Sequence, residues 1–545
     1  MNERLVVDET CHDVAVVGGG IGGAYSVWRL RNQGLNVGLY EYCDRLGGRF
    51  YTHTFTHAPD VPVELGAMRF SKKDHQLLYR TLQKVGLKTK PFLDRDQVKN
   101  DAMYYMRGRY LRKTDFRDNN IPYNLRQHER LGIDNIYRYL IQQTNFSGNA
   151  SLFAQERRYL VSKDGVKLEH QTIQEFFKKY LSGEAVDILS NTIKYSLYHM
   201  SAASVIPQLI FNDTMVGENW LTISGGMQQL PVKLVKQFLS VNTKRHLLYL
   251  NHQLLSISRK TEDKYNLMFV RTRTLDGKTM QSNESVIVCS RKVILAVPTT
   301  ALLKVNWEIL QKPPIVSNLN TVNHQFGIKL FLVYDFSWWS DIHSKSDVFC
   351  GKLHLHNYRQ KCPNPIIQHY HYYHHQVAKF ASSWYATPKR TGAVILTSDL
   401  PLERTVDFGV SKQTGAAVLM VAYSSHDMWR ELQKHGNHMW TQQHGVTTEV
   451  VRHAHLYLSQ LYNIPVKNIP EPIDGRISQW NEYPYGGAYS TWKIGVHWSQ
   501  VWKLLHKPSV IDDVFLTSGS YWNYDSDTWS ENTLEVIDDI MRSYF

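Results

Sequence analysis

The 545-residue sequence has no long apolar run, no CxxC cysteine pair and no block of like charges. Because a membrane-spanning helix needs about 20 apolar residues, no membrane span is expected. The first dozen residues are too polar to form a secretory signal peptide. The lack of CxxC among the five cysteines argues against a zinc finger or a dithiol redox motif. The net charge of +13 is spread along the chain without a basic arm, so nucleic-acid binding is not expected.

The cysteines and the glycosylation sequons leave the cellular compartment open. An odd number of cysteines in a chain of this length does not indicate a disulfide scaffold, although Cys350 and Cys362 are close enough in sequence to pair. Four sequons would fit secretion, but a chain rich in Asn, Ser and Thr carries several by chance. They begin at Asn145, Asn149, Asn212 and Asn283. We expect a secreted mature form whose leader is absent from this sequence, with a cytoplasmic protein as the alternative.

The apolar pattern predicts strands and helices along the chain. Residues 13–18 and 35–40 are short apolar runs that flank a segment of helical spacing at 23–33, which predicts a βαβ unit. Residues 126–215 are predicted to be mainly helical, and residues 245–297 to be strands. Further predicted elements are a hairpin of 253–259 with 265–272, strands at 326–334, 416–423 and 510–520, and a final helix from about Thr528.

A glycine-rich turn joins the first predicted strand to the helix. Gly18, Gly20 and Gly23 satisfy the pattern GxGxxG. The first glycine permits a tight turn, the second lets the backbone approach a pyrophosphate, and the third lets the helix pack closely on the strand. The pyrophosphate would lie at the helix N-terminus, and Glu41 at the end of the next strand would bind ribose hydroxyls. The turn also contributes two further cofactor-binding candidates, Ile21 and Gly22.

NAD and FAD share this fingerprint, and the residues after Glu41 distinguish the two. Residues 44–49 read DRLGGR, which would bend the chain back beside the pyrophosphate and place Arg49 there. Residues 64–70 read ELGAMRF. Both segments resemble the flavin-containing amine oxidase superfamily, in which the second runs beneath the isoalloxazine ring of L-amino-acid oxidases. The resemblance implies FAD as the cofactor and adds the cofactor-binding residues Gly66, Ala67, Met68 and Arg69.

Further matches extend the resemblance over nearly the whole chain. Three segments resemble the family's GG…LP loop, the strand whose backbone holds the adenine, and the strand before the chain re-enters the substrate domain; they are residues 225–231, 251–257 and 293–298. Leu254 occupies the adenine contact position. The sequences THAPDV at 56–61 and Trp338-Trp339 are similar to the secreted L-amino-acid oxidases of gastropod molluscs.

The resemblance implies the residues that would bind and oxidise a substrate. Arg69 would bind the substrate carboxylate, a task that suits a bidentate guanidinium; the alternative is a structural ion pair. Lys329, inside an apolar strand, would hold a water beside the flavin; the alternative is an edge strand that exposes it to solvent. Ala488 would offer a backbone carbonyl to the amine and Tyr489 an aromatic wall. The expected products are a 2-oxo acid, ammonia and hydrogen peroxide, released for defence.

Three departures from the family pattern motivate other hypotheses. Gly519 is followed by Ser520 where an acid usually bonds the ribityl chain. The last helix begins with Trp529 and carries Asn532 and Thr533 where the family has small residues. Val406 aligns with a tyrosine that helps to bind the carboxylate. The alternatives are therefore a catalytically degenerate protein with a binding or structural role and weak or no FAD, and an oxidase of other amines.

We expect a combined α/β and α+β fold with three domains. The discontinuous, Rossmann-like FAD-binding domain would comprise residues 1–72, 231–310 and 475–545. A mixed-sheet substrate domain would comprise 73–125 and 311–474, with a His/Tyr-rich insertion at about 345–392. A helical domain would cover 126–230. The expected partners are a small amino acid or amine and O2, and the chain is expected to form a homodimer.

The His/Tyr-rich insertion is the one candidate metal site in the sequence. His369 and His371 would share one face of a strand, and their spacing suits a metal. Because neither acidic nor cysteine ligands accompany the histidines, we interpret the insertion as a polar, aromatic surface loop and predict no metal.

Overall fold

The structure is a computed structural model. It describes residues 4–92, 103–112, 115–116, 120–130, 132–146, 159–193, 200–206, 220–275, 278–340, 395–439, 445–496, 498–521 and 529–545. The strands are β1 (Arg4–Val17), β2 (Val37–Tyr40), β3 (Thr52–Phe55), β4 (Ala58–Glu64), β5 (Phe70–Ser71), β6 (Thr89–Pro91), β7 (Met103–Met106), β8 (Arg109–Leu111), β9 (Trp220–Ile223), β10 (His246–Tyr249), β11 (His252–Thr261), β12 (Lys264–Leu275), β13 (Lys278–Leu295), β14 (Val322–Gln325), β15 (Ile328–Tyr334), β16 (Ile395–Ser398), β17 (Arg404–Val410), β18 (Ala417–Ser424), β19 (Asp474–Ile477), β20 (Tyr489–Trp492) and β21 (Val514–Leu516). The helices are α1 (Ile21–Leu30), α2 (Gln76–Lys84), α3 (Ile133–Gln142), α4 (Ile173–Tyr180), α5 (Gly183–Ile193), α6 (Ala202–Val205), α7 (Gln229–Val241), α8 (Thr299–Leu302), α9 (Glu308–Gln311), α10 (Pro313–Leu319), α11 (Met428–His435), α12 (Thr448–Tyr462), α13 (Trp498–His506) and α14 (Trp529–Tyr544).

The first seven-stranded sheet is built around β1 and β13. Its strand order is β10-β2-β1-β13-β12-β11, and β21 also pairs with β13. The pairs β10–β2, β2–β1, β1–β13 and β13–β21 are parallel. Along β1, Val14 and Val16 pack in one core while Ala15 and Val17 pack in another. Burial on both faces explains why this strand reads as a continuous apolar run.

The predicted elements of this sheet are confirmed with small changes at their ends. The βαβ unit is formed by β1, α1 and β2, and the hairpin by β11 and β12. The strand predicted at 510–520 is only three residues long, from Val514 to Leu516. The final helix begins at Trp529, one residue after the predicted start.

The second seven-stranded sheet has the order β19-β15-β18-β17-β16-β7-β8. Its strand β15 is central, because it pairs with β18 on one side and β19 on the other. Leu330 and Leu332 pack in the core shared with α12, whereas Phe331 and Val333 pack on the opposite face with residues of β4. Because alternate residues share a face, Lys329 lies on the face that meets β4.

Helices α3 to α6 surround a separate apolar core that includes Ile136, Leu140, Phe176 and Phe177. The predicted helix Ile133–Ile141 is confirmed as α3, and Ile173–Tyr180 is confirmed with its exact limits as α4. Thr172 caps α4 by accepting from the Glu175 backbone, while the Glu175 side chain accepts from the Thr172 backbone, so two free N–H groups are satisfied.

The predicted domain limits stay a prediction, but the sheet membership bears on them. The first sheet takes strands from each of the three segments assigned to the FAD-binding domain. Strand β19 (Asp474–Ile477), most of which was placed in that domain, pairs instead with β15 in the second sheet.

A disulfide between Cys11 and Cys289 is the main feature that the sequence analysis overlooked. These cysteines face each other across the parallel pair β1–β13, and 278 residues of chain separate them. The suggested partners, Cys350 and Cys362, lie outside the described residues. Cys43 is free and buried.

Two other expectations concern the whole chain. Within the described ranges, no helix is both long and apolar enough to cross a membrane, and no group of three or more His, Cys, Asp or Glu side chains could hold a metal. The insertion with His369 and His371 lies outside the described residues.

Candidate active site

The carboxyl ends of five strands meet at one edge of the first sheet. Gly18 N donates to Tyr40 O (2.7 Å), Ala296 N to Val17 O (2.8 Å) and Thr517 N to Leu295 O (3.1 Å). The turns that follow β1, β13 and β21 are thereby brought together. In open sheets of this type, ligands bind outside the carboxyl ends of the strands.

The glycine-rich turn at this edge is shaped by close contacts. A Cβ at Gly18 would lie 2.4 Å from Ala296 O, and one at Gly23 would lie 1.8 Å from Gly18 O. Only glycine fits at these two positions. At Gly20 the nearest atoms are Gly47 O and Gly48 Cα, at 3.9 and 4.0 Å. Open space therefore remains beside Gly20, between the two glycine turns, and it fits a pyrophosphate that approaches the backbone.

Glu41 binds the backbone of this turn through its carboxylate. Its Oε2 accepts from Gly19 N (2.5 Å) and its Oε1 from Cys43 N (3.0 Å). The side chain is buried. Its position after β2 is the one at which an acid binds ribose hydroxyls in dinucleotide sites.

Two arginines of the DRLGGR segment contact residues 485–488. Arg49 Nη1 donates to the carbonyls of Gly487 (3.3 Å) and Ala488 (3.2 Å), and burial lowers the pKa of Arg49. The guanidinium of Arg45 stacks on Tyr51 at 3.9 Å, and its Nη1 is buried without a hydrogen-bond partner among the described residues. A buried cationic group that lacks such a partner fits an anionic cofactor.

The ELGAMR segment (residues 64–69) packs directly on residues 47–49, the Gly-Gly-Arg part of the DRLGGR segment. A Cβ at Gly66 would lie 1.7 Å from Arg49 O, and Ala67 N donates to the same carbonyl (2.9 Å). Met68 is buried, and its carbonyl accepts from Thr222 Oγ1 (3.1 Å). The two segments that the sequence assigned to FAD therefore form one contiguous surface.

Lys329 reaches this surface from the second sheet. Its Nζ donates to Gly66 O (2.5 Å) and to Glu64 O (3.1 Å). The lysine is 5% exposed and lies in the central strand β15, so the alternative of a solvent-facing edge strand is wrong. Desolvation lowers the pKa of Lys329 to about 7, although the carboxylate of Glu64 raises it.

Arg69 lies three residues after Gly66. Its guanidinium carbon is 3.9 Å from the ring centroid of Trp220, which begins β9 and pairs with Ser71. The flat ring fixes the plane of the guanidinium.

The segment with Ala488 and Tyr489 contacts the guanidinium of Arg49 through its backbone. The carbonyl of Ala488, expected to face a substrate amine, accepts from Arg49. Ala488 N donates to Gln325 O (3.0 Å), and Tyr489 is half-buried in β20, where it pairs with Gln325. The structure therefore brings both residues beside the predicted cofactor residues.

Three residues that depart from the family pattern near the C-terminus, Ser520, Asn532 and Thr533, are buried. Ser520 is 3% exposed and its Oγ accepts from Ser490 Oγ (3.1 Å), while Gly519 beside it is half-buried. Asn532 and Thr533 are buried in the first turn of α14. A Cβ at Gly22 would lie 3.2 Å from Thr533 Cγ2. The glycine at position 22 thus makes room for the bulkier threonine. The side chain of Trp529 lies outside the described residues.

Two other predicted positions are buried in strands. Leu254 in β11 packs in the core, next to an irregularity in the β11–β12 register. The neighbouring His252 N donates to Glu41 O (2.8 Å), which places this strand end beside Glu41. Val406 is fully buried between Ile395 and Met420 and presents no polar group.

Several residues that contribute to the site were not singled out in the sequence. Arg45 lies inside the DRLGGR motif and Glu64 begins ELGAMRF, so both carried a sequence signal. Trp220 and Trp480 did not, because their roles depend on tertiary contacts: Trp220 stacks on Arg69, and Trp480 Nε1 donates to Leu65 O (2.9 Å).

This fold and this site define a flavoprotein oxidase, and the chain belongs to the flavin containing amine oxidoreductase family, whose model matches residues 28–526. Together with the dinucleotide turn, the family identifies the cofactor as FAD. The chain is 28% identical to Aplysianin-A of Aplysia kurodai over 99% of its length and 91% of that protein. It is also 28% identical to Achacin of Lissachatina fulica, over 98% of this chain and 93% of that one. An L-amino-acid oxidase of Notechis scutatus scutatus is 24% identical over 71% of this chain and 70% of its own.

Solved structures show the same fold. Putrescine oxidase bound to putrescine superposes with a TM-score of 0.63 at 16% identity and covers 99% of this chain and 100% of its own. Cyclohexylamine oxidase from Brevibacterium oxydans IH-35A has a TM-score of 0.61 at 15% identity, over 98% and 100%.

Proposed function

We propose that the protein oxidises L-amino acids to 2-oxo acids, with ammonia and hydrogen peroxide as the other products. The observation that carries this proposal is the arginine stacked on a tryptophan beside the Gly66 turn, which Lys329 binds from the opposite sheet. A guanidinium at this place suits a substrate that carries a carboxylate. The L-amino-acid oxidase among the relatives supports the same substrate class.

The cofactor would be held by residues of both glycine turns. Gly18, Gly20, Gly23 and Arg49 would hold the pyrophosphate, and Glu41 the ribose. A bound flavin supplies the acceptor for the hydride from the substrate Cα and the reaction with O2 that yields peroxide. The proposed cofactor contacts also include Ile21, Gly22, Gly66, Ala67, Met68, Arg69, Leu254, Gly519, Ser520, Trp529, Asn532 and Thr533.

The substrate would be oriented by its two ends. Arg69 would bind the carboxylate, and Ala488 and Tyr489 would line the amine side. Lys329 would hold the water that converts the imino acid into the 2-oxo acid and ammonia; that water adds its oxygen to Cα and the C–N bond breaks. Lys329 is the one residue of this set that we propose as catalytic.

Anaerobic spectroscopy tests the substrate class. The purified protein should be yellow and should bleach when an L-amino acid is added without O2. Arg69→Ala should lower kcat/KM for the amino acid about 10- to 100-fold, because one charge-assisted contact is lost, and should lower the activity towards the matching decarboxylated amine by a smaller factor. Failure to bleach with any of the twenty L-amino acids, or equal losses for both substrates in Arg69→Ala, would contradict the proposal.

We further propose that the protein is secreted. The disulfide Cys11–Cys289 suits an oxidising compartment, and the sequon residues Asn145 and Asn283 are both exposed. Expression in a secreting eukaryotic cell should give protein that loses mass on treatment with an N-glycanase; protein kept in the cytosol with free Cys11 and Cys289 would argue against secretion. A defensive role follows from peroxide release, and added catalase should then abolish any killing of bacteria. The homodimer stays a prediction.

A further inference from the structure

Three hydrogen-bonded side chains join β14, β20 and the turn after β21. His324 Nδ1 lies 3.0 Å from Ser490 Oγ, and Ser490 Oγ donates to Ser520 Oγ (3.1 Å). His324 and Ser490 occupy directly paired positions of β14 and β20, where both are half-buried. Ser520 is 3% exposed. We call these three residues the His–Ser–Ser chain.

The hydrogens of the His–Ser–Ser chain fix its direction. A serine hydroxyl has one hydrogen, and Ser490 gives its hydrogen to Ser520. The hydrogen between His324 and Ser490 must therefore come from Nδ1 of the imidazole. Burial and the charges of Arg49 and Lys493 lower the pKa of His324, so the ring is neutral at pH 7 and carries its single N–H on Nδ1.

The far end of the His–Ser–Ser chain presents a hydrogen-bond donor. Ser520 Oγ accepts from Ser490, and its own hydrogen has no acceptor among the residues that the structure describes. The backbone N–H of Ser520 is used elsewhere, because it donates to Ser518 Oγ (3.2 Å). A buried hydroxyl without an acceptor costs free energy, and a ligand oxygen at this place would remove that cost.

The His–Ser–Ser chain lies at the edge of the first sheet, where the glycine turns meet. The turn that carries Ser520 packs on the glycine-rich turn, since a Cβ at Gly22 would lie 3.5 Å from Thr517 O. At the other end, a Cβ at Gly487 would lie 3.0 Å from His324 Cβ, and Gly487 O accepts from Arg49 Nη1 (3.3 Å). The chain therefore joins two segments of the proposed FAD site.

We propose that His324 is a positioning residue for the cofactor: through Ser490 it orients the hydroxyl of Ser520, which donates a hydrogen bond to an oxygen atom of bound FAD. This inference deepens the proposed contact of Ser520 with FAD. It rests on cofactor binding and not on the substrate. His324 acts through the two serines, and the hydrogens stay on the atoms that carry them.

The release of FAD measures the contribution of the two serines. The purified holoenzyme is diluted, and the rise of flavin fluorescence gives the rate of release. Ser520→Ala should raise this rate about 3- to 10-fold, because one neutral hydrogen bond is lost. Ser490→Ala should raise it by a smaller factor, and the double variant should release FAD no faster than Ser520→Ala, because Ser490 acts only through Ser520. An unchanged rate in Ser520→Ala, or additive effects of the two substitutions, would overturn the proposal.

Substitutions of His324 test the direction of the hydrogen bonds. An asparagine amide donates from near the position of Nδ1, so His324→Asn should release FAD at close to the parent rate, whereas His324→Leu should release it as fast as Ser490→Ala. In holoenzyme labelled with 15N-histidine, the His324 resonances, assigned by their loss in His324→Leu, should show a protonated Nδ1 and a bare Nε2. A bare Nδ1, or equal release rates in the two variants, would refute the role of His324.

Thr491→Val is the matched control. Thr491 follows Ser490 in β20, but its side chain lies on the opposite face of the strand, where Oγ1 accepts from Gln325 Nε2 (2.9 Å). This variant should lower the free energy of unfolding and leave the release of FAD unchanged. An equal acceleration in Thr491→Val and Ser490→Ala would mean that the His–Ser–Ser chain supports only the fold. A protein that shows the expected FAD effects but does not oxidise amino acids would refute the proposed function and retain this inference.

Discussion

At the scale of single residues, Trp220 orients the guanidinium of Arg69 by stacking against it. The ring lies 3.9 Å from the guanidinium carbon, and a cation–π contact of this kind is worth about 0.5–2 kcal/mol depending on desolvation. Trp220→Leu should therefore raise KM for an L-amino acid about 3- to 30-fold and change kcat less. Trp220→Phe keeps an aromatic face and is the control. Equal effects of the two substitutions, or a loss confined to kcat, would show that the stacking does not position Arg69.

The pair Gly22 and Thr533 offers a second test at single positions. Replacing a helical glycine by alanine ordinarily stabilises a helix by about 1 kcal/mol. Here the added Cβ would meet Thr533 Cγ2 at 3.2 Å, so Gly22→Ala should bring no gain in the free energy of unfolding. In the Thr533→Ala background the same change should recover most of that gain. Urea unfolding of the four proteins measures this coupling, and additive effects would show that Gly22 does not compensate for the larger residue.

The disulfide acts at the scale of the elements, because it fastens β1 to β13. It closes a loop of 278 residues, and a native disulfide of this kind typically stabilises a protein by about 2–4 kcal/mol. The double variant Cys11→Ser, Cys289→Ser should lower the free energy of unfolding by about that amount. The parent protein under reducing conditions should match it, and the double variant should not respond to reductant. Cys43→Ala, which removes the buried free thiol but keeps the disulfide, should respond as the parent does. Equal stability of the parent with and without reductant would contradict this role.

The elements also show what local sequence could and could not predict. The helix Ile173–Tyr180 and the hairpin of β11 and β12 were predictable because periodicity and capping act over a few residues. Cys11 and Cys289 were not paired in the prediction, since strand register across 278 residues decides their contact. The GxGxxG turn was readable for the same local reason, whereas the contact of Lys329 Nζ with the carbonyls of Glu64 and Gly66 depends on two sheets meeting.

At the scale of the whole molecule, three buried histidines in separate regions should make stability depend on pH. Burial lowers the pKa of His75, His455 and His506 to about 4 each, below the ordinary value of about 6.5. Because the folded-state pKa is depressed for a base, their contribution is complete above about 6.5 and is lost as pH falls towards 4. Glu64 has the opposite sign: its raised pKa disfavours the folded state as pH rises from about 4.5 to 8.

The histidines should dominate on the acid side, because three groups act together over that interval and only one group, Glu64, opposes them. Unfolding by urea between pH 7 and 4.5 should therefore show a falling free energy with a slope that approaches the net uptake of two protons, because the three protons taken up by the histidines are offset by the one that folded Glu64 releases. His455→Gln, which removes a buried ring that Tyr334 contacts at 3.2 Å, should flatten the slope by about one proton even if it lowers stability overall. A slope that is the same in the parent and in His455→Gln would mean that burial does not control proton uptake, and the acid sensitivity would have to come from the carboxylates.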